Sequence, residues 1–229
     1  MAAQGYFITG TDTGVGKTWL TLALMRAFQD RGLVVGGMKP VASGCEETAL
    51  GLRNADALSI QAQSSVTNEY AAINPYAFKP PIAPHLAAEQ AGIEININKI
   101  RSAYEVLYKQ NDIVTVEGVG GWRVPLNSHQ TLADLVRVLN LPVILVVGLR
   151  LGCINHALLS AETIMSDGLN LAGWAVSHIS SYSESDSTLH TLVESIPAPL
   201  LGELPYLNTF SVEILASRIN IDLVWPISR

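Results

Sequence analysis

A doubly wound α/β fold with a mostly parallel sheet is what this sequence predicts, and three observations carry that prediction. Short apolar runs rich in β-branched residues alternate with amphipathic stretches of helical length, the pattern of parallel strands joined by crossover helices. A glycine-rich turn ending in Gly16-Lys17-Thr18 stands between the first such run and the first such stretch, where these sheets open their ligand crevice. Only 15% of the 229 residues are charged and 48% are hydrophobic, against about 25% charged in an ordinary soluble domain. A sheet buried on both faces consumes residues in that proportion.

In chain order, strands are expected at Tyr6 to Thr9, Leu33 to Met38, Ile113 to Glu117, Val143 to Gly148, Leu171 to Ser177 and Leu200 to Leu204, each short and aliphatic. Helices are expected at Lys17 to Asp30, Ala55 to Gln63, Ile97 to Gln110, Leu132 to Leu139, Ile154 to Ser166 and Ser187 to Ser195. The least regular stretch is Pro40 to Pro84, where Asn74-Pro75-Tyr76 and Pro80-Pro81 turn the backbone away from helix. A loop of that length is usually functional or disordered. The length suits one domain over residues 1–229, because single cores remain viable to roughly 250 residues.

Several function classes drop out on composition. The longest apolar stretch, Pro142 to Leu149, falls well short of the roughly 20 residues a membrane-spanning helix needs. Met1-Ala2-Ala3-Gln4 leads into the first strand with no basic region, so no secretory signal and a cytoplasmic location are expected. A net charge of −6 makes nucleic acid a poor bulk partner, so any anion site must be local. Cys45 and Cys153 suit reduced thiols rather than a disulfide framework, and the five histidines form no zinc-enzyme spacing.

The strongest motif is Gly10-Thr11-Asp12-Thr13-Gly14-Val15-Gly16-Lys17-Thr18. Backbone amides at a helix start point at phosphate oxygens, Lys17 supplies charge to the β and γ phosphates, and the Thr18 hydroxyl can ligate Mg²⁺. This is a P-loop, and it places the fold with the P-loop nucleoside triphosphate hydrolases. Five residues rather than four separate Gly10 from Gly16. A glycine turn closing a strand is the plain alternative, but strand, turn and helix in order around Gly-Lys-Thr favour phosphate.

The expected second strand runs into Lys39-Pro40-Val41-Ala42-Ser43-Gly44, placing a second lysine and a hydroxyl beside the first. Such a cation stabilises charge on a transferring phosphoryl group or a carbamate oxygen; as plain structure, Lys39 would be a solvated strand end. Asp56 opens a helix and could simply cap it. Glu117 ends an otherwise apolar strand and is followed by Gly118-Val119-Gly120-Gly121, which is hard to explain as structure alone. With Thr18, these two carboxylates could complete a Mg²⁺ shell.

Together, Gly10-Thr11-Asp12-Thr13, Val15-Gly16-Lys17-Thr18, Lys39-Pro40-Val41-Ala42-Ser43-Gly44, Asn74-Pro75-Tyr76, Glu117-Gly118-Val119-Gly120-Gly121-Trp122, Gly152-Cys153-Ile154-Asn155-His156-Ala157 and Pro197-Ala198-Pro199-Leu200-Leu201-Gly202-Glu203 resemble the dethiobiotin synthetases of biotin biosynthesis. The resemblance runs over nearly the whole chain in the same order, and that family's extended loop has the same five-residue spacing.

The resemblance implies a single P-loop ligase domain that uses ATP as co-substrate and Mg²⁺ as cofactor. It would convert 7,8-diaminopelargonic acid and CO2 to a carbamate, phosphorylate it to a carbamic-phosphoric anhydride, and close a cyclic urea. It implies Lys39, Lys17 and Thr13 as the catalytic set, and Thr18, Asp56 and Glu117 as metal ligands. Thr13, Lys39, Ser43 and Gly120 would meet the diamine or its carbamate. Gly14, Val15, Gly16, Lys17, Thr18 and Trp19 would hold the nucleotide with Asp56, Glu117, Gly118 and Gly120. Ser177, His178, Pro205, Tyr206 and Leu207 would surround its base. The family is a homodimer, and Asn155 matches a residue presented to the neighbouring subunit's substrate carboxylate; a helix N-cap is the alternative for it.

Three positions depart from the pattern. Gly14 stands where some members carry an acid, so the loop offers no carboxylate there. Val119 replaces a common alanine. Ser177 stands where some members read adenine with asparagine, and a serine cannot make an amide's paired contacts. Two other readings compete. A partitioning or septum-positioning type of ATPase switch would carry lysine at Asp12 and often an amphipathic tail, whereas Asn220 to Arg229 has no basic face. An amide-forming cofactor ligase of related fold would lack Lys39 followed by Ser43.

Overall fold

The computed structural model describes residues 4–180 and 186–225. Residues 1–3, 181–185 and 226–229 lie outside the described residues, so the expectations for the extreme N-terminus and for the end of the Asn220 to Arg229 tail fall there.

The chain runs β1 (Gln4–Gly10), α1 (Lys17–Gln29), β2 (Val35–Met38), β3 (Val41–Ala42), β4 (Glu46–Thr48), β5 (Gly51–Arg53), α2 (Ala55–Gln63), α3 (Tyr70–Ile73), β6 (Tyr76–Ala77), α4 (Pro84–Gln90), α5 (Ile97–Tyr108) and β7 (Ile113–Glu117). It continues through α6 (Leu132–Leu139), β8 (Val143–Gly148), α7 (Cys153–Ser166), β9 (Leu171–Ser177), α8 (Asp186–Ser195), β10 (Leu200–Leu204), α9 (Val212–Ala216) and a 3₁₀ turn, Ile221–Leu223. Six strands form one sheet in the order β10-β9-β8-β1-β7-β2, every pairing parallel. Successive side chains of a strand face opposite ways, and every residue of β7 and β8 is buried. Both sheet faces are therefore covered, as the low charge content predicts.

β1 lies between β7 and β8, with Ile8 opposite both Glu117 and Ile144. The chain winds outward in both directions from this centre, so the crevice opens at the carboxyl end of β1. The core beneath it holds Phe7, Phe28, Leu24 and Trp174, all fully buried. Among the described residues no helix is long and apolar enough to cross a membrane.

The segment expected to be an irregular loop is instead broken into short elements. β3 pairs with β6 and β4 with β5, while Phe78 N bonds Ala42 O at 2.8 Å and Cys45 N bonds Phe78 O at 2.9 Å. Strands of two or three residues carry too little periodicity to register in a sequence window, and partners far apart in sequence pair only in three dimensions. α3, α4 and α9 escaped the same way, each being only four to seven residues long.

Candidate active site

At the carboxyl end of β1 the chain crosses into α1 through Gly16, whose φ of 92° belongs to the left-handed region that glycine alone tolerates well. A Cβ there would stand 2.4 Å from Ser177 Oγ, so the loop lies directly on the end of β9. No side chain caps α1 and no acid occupies its first turn, leaving its amides open to an anion. Thr11 N bonds Val146 O at 2.9 Å, pinning the loop to β8. Lys17 Nζ donates to Asp12 O at 2.7 Å. Burial, with the charge of Lys39 added, pushes Lys17 down to about 8. An anion in the loop would relieve that cost.

Lys39 follows β2 and is buried at 4% exposure. Its Nζ donates to Glu117 Oε1 at 2.5 Å, to Asp56 Oδ2 at 3.3 Å and to Gly118 O at 3.3 Å. Desolvation alone would lower its pKa, but the two carboxylates outweigh it and the group is held above its ordinary value. Asn74 Nδ2 donates to Lys39 O at 2.6 Å, which gives the Asn74-Pro75-Tyr76 segment a structural purpose.

Glu117 Oε1 also accepts from Thr18 Oγ1 at 3.0 Å, while Oε2 is buried and has no hydrogen-bond partner. A buried carboxylate oxygen left open is costly unless something fills it. Thr18, Glu117 and Asp56 thus present oxygen donors of the kind Mg²⁺ takes, and the orphaned oxygen fits such an ion. Among the described residues no three His, Cys, Asp or Glu gather as a ligand cluster. Two carboxylates and a hydroxyl suit a cation that keeps waters and phosphate oxygens in its shell.

These groups line one cleft of about 1070 Å³, together with Thr13, Gly14, Trp19, Ser43, Gly120, Ser177, His178 and Tyr206. Five predicted residues do not line it. Val15 is buried, its side chain packed where a Cβ on Gly10 or Gly148 would lie. The Gly118 amide is bonded to Ile8 O at 2.9 Å. Pro205 and Leu207 flank Tyr206 without reaching the cleft, and Asn155 is exposed on α7, outside it.

Two cap alternatives are corrected. Asn54, not Asp56, caps α2, accepting from Ala57 N at 3.2 Å. α7 begins at Cys153 with Gly152 at its cap (φ 89°), so Asn155 sits inside the first turn with the helix amides open beside it. Sequence reading missed other wall residues. Pro81, Ile82, Val124 and Pro125 give one end of the cleft an apolar side, and Phe210 packs edge-on against Trp19 with ring centroids 5.6 Å apart. The proline-rich run was a signal for the first pair; Phe210 had none. Arg150 was also missed: it pairs with Asp12, whose carboxyl is held below its usual range by the Thr13 amide first and by this arginine second.

Residues 4–213 match the sequence profile described as an AAA domain. The ATP-dependent dethiobiotin synthetase BioD of Pseudomonas aeruginosa (strain UCBPP-PA14) is 50% identical over 218 residues, covering 94% of this chain and 96% of its own. The protein of that name from Cellvibrio japonicus is 45% identical over 96% of this chain and 97% of its own. Among solved structures, a ParA family ATPase from Chlorobium tepidum superposes with a TM-score of 0.56 at 13% identity, covering 99% of this chain and 95% of its own. The MinD cell division protein of Aquifex aeolicus superposes at 0.54 and 16% identity, over 96% of this chain and 89% of its own. Those two share the fold alone, so the switch-type reading gains no more than a common architecture. The sequence relatives decide the matter: this chain belongs to the ATP-dependent dethiobiotin synthetase family.

Proposed function

We propose that this chain, acting as a single ligase domain in the cytoplasm, converts 7,8-diaminopelargonic acid, CO2 and ATP to dethiobiotin, ADP and phosphate in biotin biosynthesis. The observation that carries this reading is the convergence, in one cleft, of a phosphate loop bearing Lys17 with the buried Lys39–Glu117–Asp56 cluster. That relatives at 45–50% identity are ATP-dependent dethiobiotin synthetases supports it.

One amine adds to CO2 and sheds a proton, giving a carbamate. The carbamate oxygen attacks the γ-phosphorus and ADP leaves. The second amine then attacks the carbamoyl carbon, loses a proton and expels phosphate as the ring closes. Lys17 and the open amides of α1 draw charge from the polyphosphate. Lys39 holds carbamate and phosphoryl oxygens together for in-line transfer. Thr13, Ser43 and Gly120 orient the diamine, whose alkyl chain suits the apolar side formed by Ile82, Val124 and Pro125. Thr18, Asp56 and Glu117 would hold Mg²⁺, and the chemistry it would supply is neutralisation of charge on the phosphoryl oxygens. Tyr206, Ser177 and His178, which line the cleft, would meet the base, with Pro205 and Leu207 flanking Tyr206 in sequence.

The working unit is a homodimer in which Asn155 and the open amides of α7 serve the partner's substrate carboxylate. Leu151 (94% exposed), just before α7, and Leu159 (55%), on it, are exposed apolar side chains that a second copy would cover. The test is incubation of purified protein with Mg-ATP, labelled bicarbonate and the diamine. Labelled cyclic urea with stoichiometric phosphate is expected, and none at saturating diamine would sink the reading.

A further inference from the structure

Asp167 closes α7 at the opposite end from Asn155, yet its side chain is only 10% exposed. A helix C-terminus carries partial negative charge, so nothing about α7 itself favours an acid there. Three donors explain its presence. Trp122 Nε1 bonds Oδ2 at 2.8 Å, Arg123 Nη2 bonds Oδ1 at 3.0 Å, and Arg137 Nη2 reaches Oδ1 at 2.8 Å. Arg137 also donates through Nε to the Asp167 carbonyl at 3.2 Å and through Nη1 to Asp134 at 2.8 Å. Two acids balance two arginines, and charge-assisted bonds of this kind fix direction as well as position.

What the network holds is the wall of the cleft. Trp122 is buried at 3% exposure and follows Gly120-Gly121 directly. Gly120 has a φ of 61°, and a Cβ there would come within 2.9 Å of Val124 Cγ2 and 3.7 Å of Thr13 Oγ1. Val119, Gly120 and Val124 face the cleft, while Trp122 and Arg123 are held from behind by α7. A run of glycines has little stiffness of its own, so its placement depends on the anchor.

We infer that Asp167 is a positioning residue for the diamine end of the cleft, acting through Trp122 and Arg123 to set Gly120 and Val124 opposite Thr13. This rests on the reading of the cleft proposed above. Asp167→Ala in the full chain is expected to raise the KM for the diamine by about tenfold, with smaller change in kcat and unchanged affinity for a non-hydrolysable ATP analogue. Asp167→Asn still accepts the indole bond and recovers most of that KM. Trp122→Phe removes the donor together with the pyrrole part of the buried indole, so it raises the diamine KM at least as far as Asp167→Ala, and adding Asp167→Ala to it raises the KM no further. Amide hydrogen exchange at Gly118 to Val124 in the ligand-free chain rises in Asp167→Ala. Unchanged exchange and diamine KM, or a diamine KM that moves only in step with nucleotide affinity, overturns the inference while leaving the proposed activity standing. A wild-type chain that forms no cyclic urea sinks both.

Discussion

Lys39 and Glu117 meet because β2 and β7 are neighbours in the sheet. Removing one partner of a buried pair leaves the other charged and dry, so Glu117→Gln is expected to destabilise the ligand-free chain by about 3 kcal/mol, read by urea unfolding. A loss below about 1 kcal/mol would mean that Asp56 alone satisfies Lys39. The two lysines should separate by function. Lys39→Met keeps the buried stem and removes the charge, so turnover is lost while ATP-analogue binding persists. Lys17→Met weakens that binding as well, because its charge faces the polyphosphate; equal losses in both variants contradict the division of roles. Lys17 was legible from the glycine-rich Gly16-Lys17-Thr18 spacing, and Lys39 and Glu117 because each is a charged group at the end of an apolar run. The orphaned Glu117 Oε2 and the Arg150–Asp12 pair were not, since the first depends on how the tertiary fold buries the carboxylate and the second joins residues far apart in sequence.

At the scale of elements, the six main strands and six longer helices were legible to within a residue or two, because hydrophobic period depends only on local spacing. α6 shows the best-formed start: Thr131 N and Oγ1 both donate to Asp134 Oδ2, at 2.7 and 2.8 Å. The Thr131 amide, then its hydroxyl and Arg137, hold the Asp134 carboxyl below its ordinary 3.8. A depressed carboxyl contributes stability above its unfolded pKa and loses it as pH falls through the folded value. Asp134→Ala should therefore cost about 0.5 kcal/mol at pH 7, the low end of capping energies because solvent screens this 37% exposed carboxyl, and chemical denaturation near pH 2 should show most of that difference gone. In α1 the cap itself is the constraint. Gly16→Ala forces a left-handed L residue against Ser177, costing about 1–2 kcal/mol and opening the loop, with polyphosphate affinity falling alongside.

For the whole molecule, the proposed homodimer predicts a sedimenting species of twice the 24.6 kDa chain mass at micromolar concentration. Leu159→Glu, on the exposed side of α7, should return it to the single-chain mass, with cyclic-urea formation lost although ATP-analogue binding is retained. A wild-type chain already sedimenting at 24.6 kDa would count against the shared site.

The sequence by itself determined the fold class, the phosphate loop and most of the charged residues at the site, because each is written in local period, local spacing or an out-of-place charge. The sheet order, the pairing of Lys39 with Glu117 and the bracing of the Trp122 loop by Asp167 were decided only in the tertiary structure. Their energy comes from contacts between segments whose sequence separation carries no local signal.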